Sequence, residues 1–296
     1  GRRIVEGATA GMHRSPLKGA SVEFQQHRAY VRGDEPRRLD WRLLARTDRS
    51  FVKQYVEETN LRAVLVLDAS GSMGYGGRGG FGVEGSGFGK EAPETKFEFG
   101  AKLVASLAYL MLGQTESVGF AGCGEDAAAW VAPHSGTNQL ARIIDALEHA
   151  TPRGAGNVAK TMHDVAARLG RRSQVVVVSD FFLPVKELRN GLARLGHGKH
   201  ETIALRVLHS DELTFPFRNW TQFQGMERER AKLIEPALMR EVYLRAFEAH
   251  RKELEQSCTS MGVELHTLVT DRPMVDSLIA VLRHRYLMSE RGGRGR

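Results

Sequence analysis

The chain contains an apolar run that ends in an acid and is followed by two hydroxyl residues at alternate positions, Ala63-Val64-Leu65-Val66-Leu67-Asp68-Ala69-Ser70-Gly71-Ser72-Met73. The apolar part is typical of a strand buried on both faces, as in parallel sheets. The polar part then falls in the loop after the carboxyl end of the strand, where open α/β sheets bind ligands. One carboxylate and two hydroxyls suit a hard cation such as Mg²⁺. The same residues could instead form a turn that closes the strand through backbone hydrogen bonds.

A second buried strand also ends in an acid, in the run Val175-Val176-Val177-Val178-Ser179-Asp180. Because the carboxyl ends of parallel strands share one edge of a sheet, we expect Asp68 and Asp180 to converge there. A pair of unrelated turns does not predict this convergence. The pattern therefore favours a shared cation site.

Apolar strands alternate with amphipathic helices over most of the chain. The patterns predict strands over residues 62–67, 117–121, 127–131, 174–179, 201–208 and 263–269. They predict helices over 96–112, 138–149, 158–169, 185–195, 236–261 and 274–285. Residues 117–131 are expected to form a hairpin at a sheet edge. This order predicts an α/β fold, a doubly wound and mostly parallel sheet flanked by helices.

Composition narrows the classes of partner. The 296 residues carry a net charge of +7 and a pI near 9.6, but no nucleic-acid module or interleaving of basic and aromatic residues accompanies the charge. No apolar run approaches the roughly 20 residues that cross a bilayer, and the first residues lack the apolar core of a signal peptide. Two distant cysteines argue against a disulfide framework and a zinc site. We expect a cytoplasmic protein without a membrane span or a specific nucleic-acid partner.

A glycine-rich insert follows the first acidic strand end, over residues 74–89. It contains Gly74-x-Gly76-x-x-Gly79, which matches a dinucleotide fingerprint in form. That fingerprint requires a helix to begin directly at the glycines, whereas the next predicted helix begins at Lys96. We interpret the match as chance.

Specific motifs surround this central region. The N-terminal part contains Gly11-x-His13-x-Ser15, Glu23-Phe24, Arg28-x-Tyr30, Gly33-Asp34, Arg37, Asp40-Trp41 and Ala45-Arg46. Later motifs are Ser179-Asp180-Phe181, Glu212-Leu213-x-Phe215-Pro216-Phe217, Tyr243-Leu244 and Thr270-Asp271-x-Pro273. Together with the Asp68 strand end, they resemble the bacterial family called "domain of unknown function 58". The central part of that family looks like a von Willebrand factor A domain.

The resemblance implies a metal-ion-dependent adhesion site, in which Asp-x-Ser-x-Ser, a threonine and a second aspartate surround Mg²⁺. Carried over to this sequence, the ligands are Asp68, Ser70, Ser72 and Asp180. The place of the threonine is taken by Gly156, which has no side-chain oxygen, so Asn157 or water would have to fill the gap. The resemblance also implies an adaptor that works with a MoxR-type AAA+ ATPase in the assembly or remodelling of complexes.

The domain organisation follows from these motifs. We expect a family-specific N-terminal segment over 1–61, a von Willebrand A-like domain over 62–285 and a disordered basic tail over 286–296. Within the first segment, Arg37, Asp40, Trp41 and Arg46 could form a partner-facing patch. They could equally form an internal ion-pair clamp with Trp41 buried against the sheet.

Three functions follow as hypotheses. The first is a non-enzymatic binding module that uses a cation at the four predicted ligands. The second is a metal-free scaffold with a degenerate adhesion site. The third is a phosphotransferase with a nucleophilic Asp68, but such enzymes place a second aspartate two residues on, where this chain has Ser70. The sequence favours the binding module over the enzyme.

Overall fold

The computed structural model describes residues 22–30, 40–47, 49–57, 62–77, 94–114, 116–124, 129–170, 172–218, 220–227, 232–275 and 278–279. The chain divides into two compact units, residues 14–61 and residues 1–13 with 62–296. In the smaller unit, the antiparallel strands β1 (Val22–Ala29) and β2 (Phe51–Glu57) pair with each other. Helix α1 (Trp41–Thr47) lies between these strands in the sequence.

The larger unit is built on a six-stranded sheet. Its strands are β3 (Arg62–Asp68), β4 (Ser117–Cys123), β5 (Trp130–His134), β6 (Gln174–Ser179), β7 (Glu201–Leu208) and β10 (Glu264–Val269). Their order is β10-β7-β6-β3-β4-β5, and every neighbouring pair is parallel except the edge pair β4–β5. The strands β8 (Thr221–Phe223) and β9 (Lys232–Ile234) form a separate antiparallel pair. The predicted α/β class and the antiparallel edge hairpin are confirmed.

Helices connect the strands of this unit. They are α2 (Lys96–Gly113), α3 (Gln139–Glu148), α4 (Val158–Arg168), α5 (Val185–His197), α6 (Ser210–Thr214) and α7 (Pro236–Ser260). Most predicted bounds agree within two residues, but β5 starts three residues later than predicted. The helix predicted over 274–285 lies mostly outside the described residues. None of the described helices is long and apolar enough to span a membrane.

The core lies on both faces of the sheet because successive side chains of a strand point to opposite sides. Leu65 and Leu67 of β3 pack into one apolar cluster with Leu103 of α2. Val64 and Val66 pack into the other. Residues 63–67 of β3 and all of β6 are therefore buried on both faces, as the continuous apolar runs predict.

Helix α2 approaches the sheet closely at Gly100. A Cβ at this position would lie 2.8 Å from Leu67 Cδ1, so the glycine sets the spacing between helix and strand. Thr95 fixes the start of the helix through a capping box, in which its side chain accepts from Glu98 N while its own N–H donates to the Glu98 carboxylate. These contacts hold the first turn of α2 at the carboxyl ends of the strands.

Candidate functional site

The two predicted acids lie at the adjacent carboxyl ends of β3 and β6. Asp68 is the last residue of β3 and Asp180 directly follows β6, and both are buried. The Ser179 hydroxyl connects the two strand ends by donating a 2.6 Å hydrogen bond to Asp68 Oδ2. The structure thus brings Asp68 and Asp180 to one edge of the sheet. We refer to the four predicted ligands at this edge, Asp68, Ser70, Ser72 and Asp180, as the carboxylate pole.

Both oxygens of Asp68 are engaged by neutral donors. Oδ1 accepts a 2.9 Å hydrogen bond from Ser70 N, and Oδ2 accepts the bond from Ser179. Burial, together with the neighbouring charge of Asp180, raises the pKa of Asp68 to about 6. The fold therefore disfavours the charged form of Asp68 relative to its protonated form.

The two predicted hydroxyl ligands lie in a tight turn after β3. Ser70 Oγ and Ser72 Oγ are 3.0 Å apart and share a hydrogen bond. Gly71 between them donates its N–H to Gly154 O at 2.8 Å, and a Cβ on it would collide with the Met226 carbonyl oxygen. The short 3₁₀ segment Gly71–Gly74 depends on this close approach.

The place expected for a threonine is packed against the pole. A Cβ on Gly156 would lie 2.7 Å from Ser70 Cβ and 3.0 Å from Asp68 Oδ1. A β-branched residue has no room there unless the turn moves. Asn157 does not replace the missing oxygen, because its Oδ1 accepts from Lys160 N at 2.7 Å and caps α4.

Lys96, which the sequence analysis did not select, contacts the pole at Asp180. Its ammonium donates to Asp180 Oδ2 at 2.7 Å and to Glu212 Oε1 at 2.6 Å, and the residue has no exposed surface. Burial by itself would lower the pKa of Lys96, but the carboxylates of Asp180 and Glu212 outweigh it and raise that pKa. Asp180 Oδ1 in turn accepts from Phe182 N at 3.1 Å. Asp180 is thus held by an ammonium from the protein itself.

The sequence carried a signal for Lys96. The residue lies in the first turn of a helix, where the helix dipole disfavours a cation. It is also in phase with Gly100, Leu103 and Leu107, four, seven and eleven residues later, which face the sheet. A lysine on the buried stripe of a helix requires a buried anionic partner.

A second buried cation lies behind Asp180. The Arg206 side chain donates from Nε to Asp180 O at 3.3 Å and is 1% exposed. Its guanidinium lies 5.7 Å and 5.1 Å from the ring centroids of Phe182 and Phe247. Burial lowers the pKa of Arg206. Two cations therefore lie close to the acid that the sequence assigned to Mg²⁺.

The residues of the pole do not fit a resident Mg²⁺ as they lie. Each oxygen of Asp68 and Asp180 already accepts a hydrogen bond, and one of the donors is an ammonium. Gly156 supplies no oxygen and leaves no room for one. The two serine hydroxyls face each other, but hydroxyls without a free carboxylate are weak ligands for this hard cation.

A cleft of about 1000 Å³ opens beside the pole at Ser72. A group of aromatic side chains lies on its wall: Phe215, Phe217, Phe223 and Tyr243. Neighbouring rings in this group have centroids 4.7–5.8 Å apart. We refer to this space as the aromatic cleft.

Hydrogen bonds tie the cleft to the pole. Tyr243 Oη donates to Glu212 O at 3.0 Å, and Glu212 is also a partner of Lys96. Tyr75 Oη donates to Asp211 Oδ2 at 2.9 Å on the same wall. Hydrogen bonds therefore connect the wall of the cleft with the ion pairs of Lys96.

Apolar side chains next to the lining residues in the chain are exposed. Trp220 is 64% exposed and precedes Thr221 of the wall. Others in this group are Leu233, Leu238 and Val242. Helix α7 buries few side chains in its N-terminal half, where apolar and charged residues are exposed together.

The structure describes three of the four N-terminal residues that could form a patch or a clamp. Asp40 is buried and its Oδ1 accepts from Leu43 N at 3.1 Å, which caps α1. Trp41 is 64% exposed. Arg46 is exposed, and Arg37 lies outside the described residues.

The larger unit is therefore an α/β sheet that has an acid at each of two adjacent strand ends and a cleft at the same edge. The chain belongs to the family described as "Protein of unknown function DUF58", which matches residues 26–253. The uncharacterized proteins Rv1480 of Mycobacterium tuberculosis and Mb1516 of Mycobacterium bovis are each 26% identical over 297 residues, covering 99% of this chain and 87% of theirs.

Similar solved structures have low sequence identity. The conserved hypothetical protein BatB from Bacteroides thetaiotaomicron is 11% identical, with a TM-score of 0.45 over 78% of this chain and 99% of that one. The SpRpn10 VWA domain is 11% identical, with a TM-score of 0.42 over 74% of this chain and 93% of that one. These matches concern the fold alone.

Proposed function

We propose that this chain is a non-catalytic protein-binding module that receives its partner at the aromatic cleft. The observation that carries the proposal is the combination of an open cavity lined in part by aromatic side chains with exposed apolar residues next to its lining residues in the chain. Aromatic side chains supply much of the binding energy at protein interfaces. Contiguous exposed apolar surface on a folded protein commonly marks an interaction site.

The chemistry of the candidate nucleophiles supports a non-catalytic role. Burial raises the pKa of Cys123 to about 12 and that of Cys258 to about 11, so neither thiol forms a reactive thiolate at neutral pH. Asp68 is buried with both oxygens engaged, and Ser70 occupies the place of the second catalytic acid. Both cysteines are free, which suits the cytoplasmic location that we expect.

We propose a MoxR-type AAA+ ATPase as the partner, because the family resemblance implies an adaptor for such enzymes. Binding through the aromatic cleft does not require a divalent cation. The competing proposal is adhesion through Mg²⁺ at the carboxylate pole, with an acidic partner residue completing the coordination. The two modes differ in their response to EDTA and to the charge of Asp68.

The test is biolayer interferometry with the nucleotide-free MoxR-type ATPase of the same organism, with EDTA or with Mg²⁺. Cleft binding predicts equal affinity in both buffers and unchanged affinity for Asp68→Asn. It predicts weaker affinity for Met239→Ala, which shortens an exposed side chain of the cleft lining. Loss of binding in EDTA and in Asp68→Asn would establish the adhesion mode instead. Absence of binding in both buffers would refute this class of partner.

A further inference from the structure

We propose that the ammonium of Lys96 is the resident cation between Asp180 of the carboxylate pole and Glu212, and that it keeps divalent metal ions from binding Asp180. This inference goes beyond the proposed function, since it concerns the site itself and holds whichever partner binds. The first argument is position. The ammonium lies between Asp180, the acid expected to bind the metal, and Glu212, at 2.7 and 2.6 Å from their oxygens.

These distances are close to those of a bound metal. Ca²⁺ binds protein oxygens at about 2.3–2.6 Å, and Mg²⁺ at about 2.0–2.1 Å. Oxygens of Asp180 and Glu212 thus lie around the ammonium at distances close to those around a bound Ca²⁺. A metal ion and the ammonium cannot share this position.

The lysine is also held in place by its surroundings. Its backbone N–H donates to Tyr75 O at 2.9 Å, and its residue is the first of α2, directly after the Thr95 cap. Its ammonium lies 5.1 Å from the ring centroid of Phe182. Moving the ammonium away would leave two buried carboxylates without their cation, which is costly.

Charge explains the exclusion. Near this point the fold places Asp180 and Glu212 against Lys96, with Arg206 behind Asp180. A divalent ion would therefore meet two carboxylates whose charge two buried cations already compensate. Removing the ammonium leaves the two carboxylates uncompensated at the centre, which is the arrangement that attracts a divalent cation.

The experiment is calorimetric titration with CaCl₂ and MgCl₂ of the wild type, Lys96→Ala and Lys96→Ala/Asp180→Asn. We expect no saturable heat from the wild type up to about 10 mM, where even a weak site would register. Lys96→Ala should bind Ca²⁺ with a Kd of about 10⁻⁴–10⁻³ M, in the range of weak natural Ca²⁺ sites, and more tightly than Mg²⁺. The double variant should lose this binding.

Two results overturn the proposal. One is saturable Mg²⁺ or Ca²⁺ binding by the wild type that Asp68→Ala abolishes. The other is a folded Lys96→Ala that binds neither ion. If Lys96→Ala is unfolded in EDTA, circular dichroism decides: folding on addition of CaCl₂ supports the proposal, and failure to fold contradicts it. Cleft binding by the partner is measured separately, so its failure leaves these results unaffected.

Discussion

The carboxylate pole and the aromatic cleft share Ser72, but the polar groups of the pole have partners within the chain, whereas the cleft is open. At the pole, every carboxylate oxygen of Asp68 and Asp180 has a donor within the chain. In the cleft, aromatic rings line part of an open volume, and exposed apolar residues precede several lining residues in the chain. A surface that satisfies itself has little free energy to gain from a partner, whereas an exposed apolar one does. The comparison supports the proposal that a partner binds at the cleft, and it gives the pole a role in stability.

Breaking the pole at Lys96 should have the largest effect. Lys96→Met leaves Asp180 and Glu212 buried without their cation, which costs about 3–5 kcal/mol of the free energy of unfolding. Urea denaturation measures this loss. The control is Lys102→Met on the same helix, whose ion pair with Glu94 is exposed and contributes about 0–1 kcal/mol at most. Equal losses in the two variants would contradict a special role for Lys96.

The second prediction concerns the pH dependence of stability. Burial and the charge of Asp180 raise the pKa of Asp68 from its ordinary value of 3.8 to about 6 in the folded state, so the native state binds its proton more tightly. The stabilisation from this proton is present below pH 4 and is lost as pH rises through 6. Asp68→Asn keeps an oxygen for Ser70 N and removes the charge. From pH 4 to pH 7, the stability of Asp68→Asn relative to wild type should rise by up to about 3 kcal/mol.

Urea denaturation at a series of pH values from 4 to 7 measures this difference. The control is Asp145→Asn, since this carboxylate is exposed on α3. A constant difference between wild type and Asp68→Asn would show that the fold does not disfavour the charged carboxylate.

A third prediction sharpens the account of the missing threonine. Gly156→Thr should destabilise the protein by about 1–3 kcal/mol, because its Cβ meets Ser70 and Asp68. It should not create Mg²⁺ binding, since Lys96 remains. Gly196→Thr is the matched control, because a Cβ there has nothing within 4 Å. Thermal unfolding with and without Mg²⁺ measures both effects, and a gain of Mg²⁺ stabilisation in Gly156→Thr would contradict the account.

The smallest effect on stability belongs to the cleft. Trp220→Ala should leave the unfolding temperature unchanged, because the side chain is 64% exposed. It should weaken binding of the ATPase by at least about 10-fold if this tryptophan is an interface anchor. Tyr109→Ala, at an exposed aromatic residue on α2, is the control and should bind like wild type. Identical affinities for the two variants would exclude Trp220, which precedes Thr221 of the cleft wall, from the interface.

Sequence patterns predicted the sheet because its strands are long apolar runs with an acid at the end. The positions of Asp68 and Asp180 followed from the rule that parallel strands share a carboxyl edge. Lys96 was missed because its partner Glu212 is 116 residues away, and no local pattern joins them. The cleft was missed for a similar reason, since its wall combines α6, β8 and α7 and depends on how these short elements pack.

Gly156 shows what the sequence could indicate but not explain. The residues established that a threonine oxygen is absent, and the structure adds that Ser70 occupies the space beside it. A missing ligand by itself leaves water or Asn157 as substitutes. The hydrogen bond from Lys160 N occupies the Asn157 oxygen, and the close packing at Gly156 leaves no room for a threonine side chain. The sequence shows that the ligand residue is absent. Only the tertiary packing shows that there is also no room for its side chain.

The most direct test of the central claim is NMR observation of the Lys96 ammonium in ¹⁵N-labelled protein, with Lys96→Arg to assign the signal. The account predicts a slowly exchanging ¹⁵Nζ–¹H₃ resonance at neutral pH, coupled to carboxylate acceptors and unchanged by about 10 mM Mg²⁺. A Lys96 signal that exchanges with water as rapidly as those of surface lysines, or that shifts in a saturable way on addition of Mg²⁺, would contradict it.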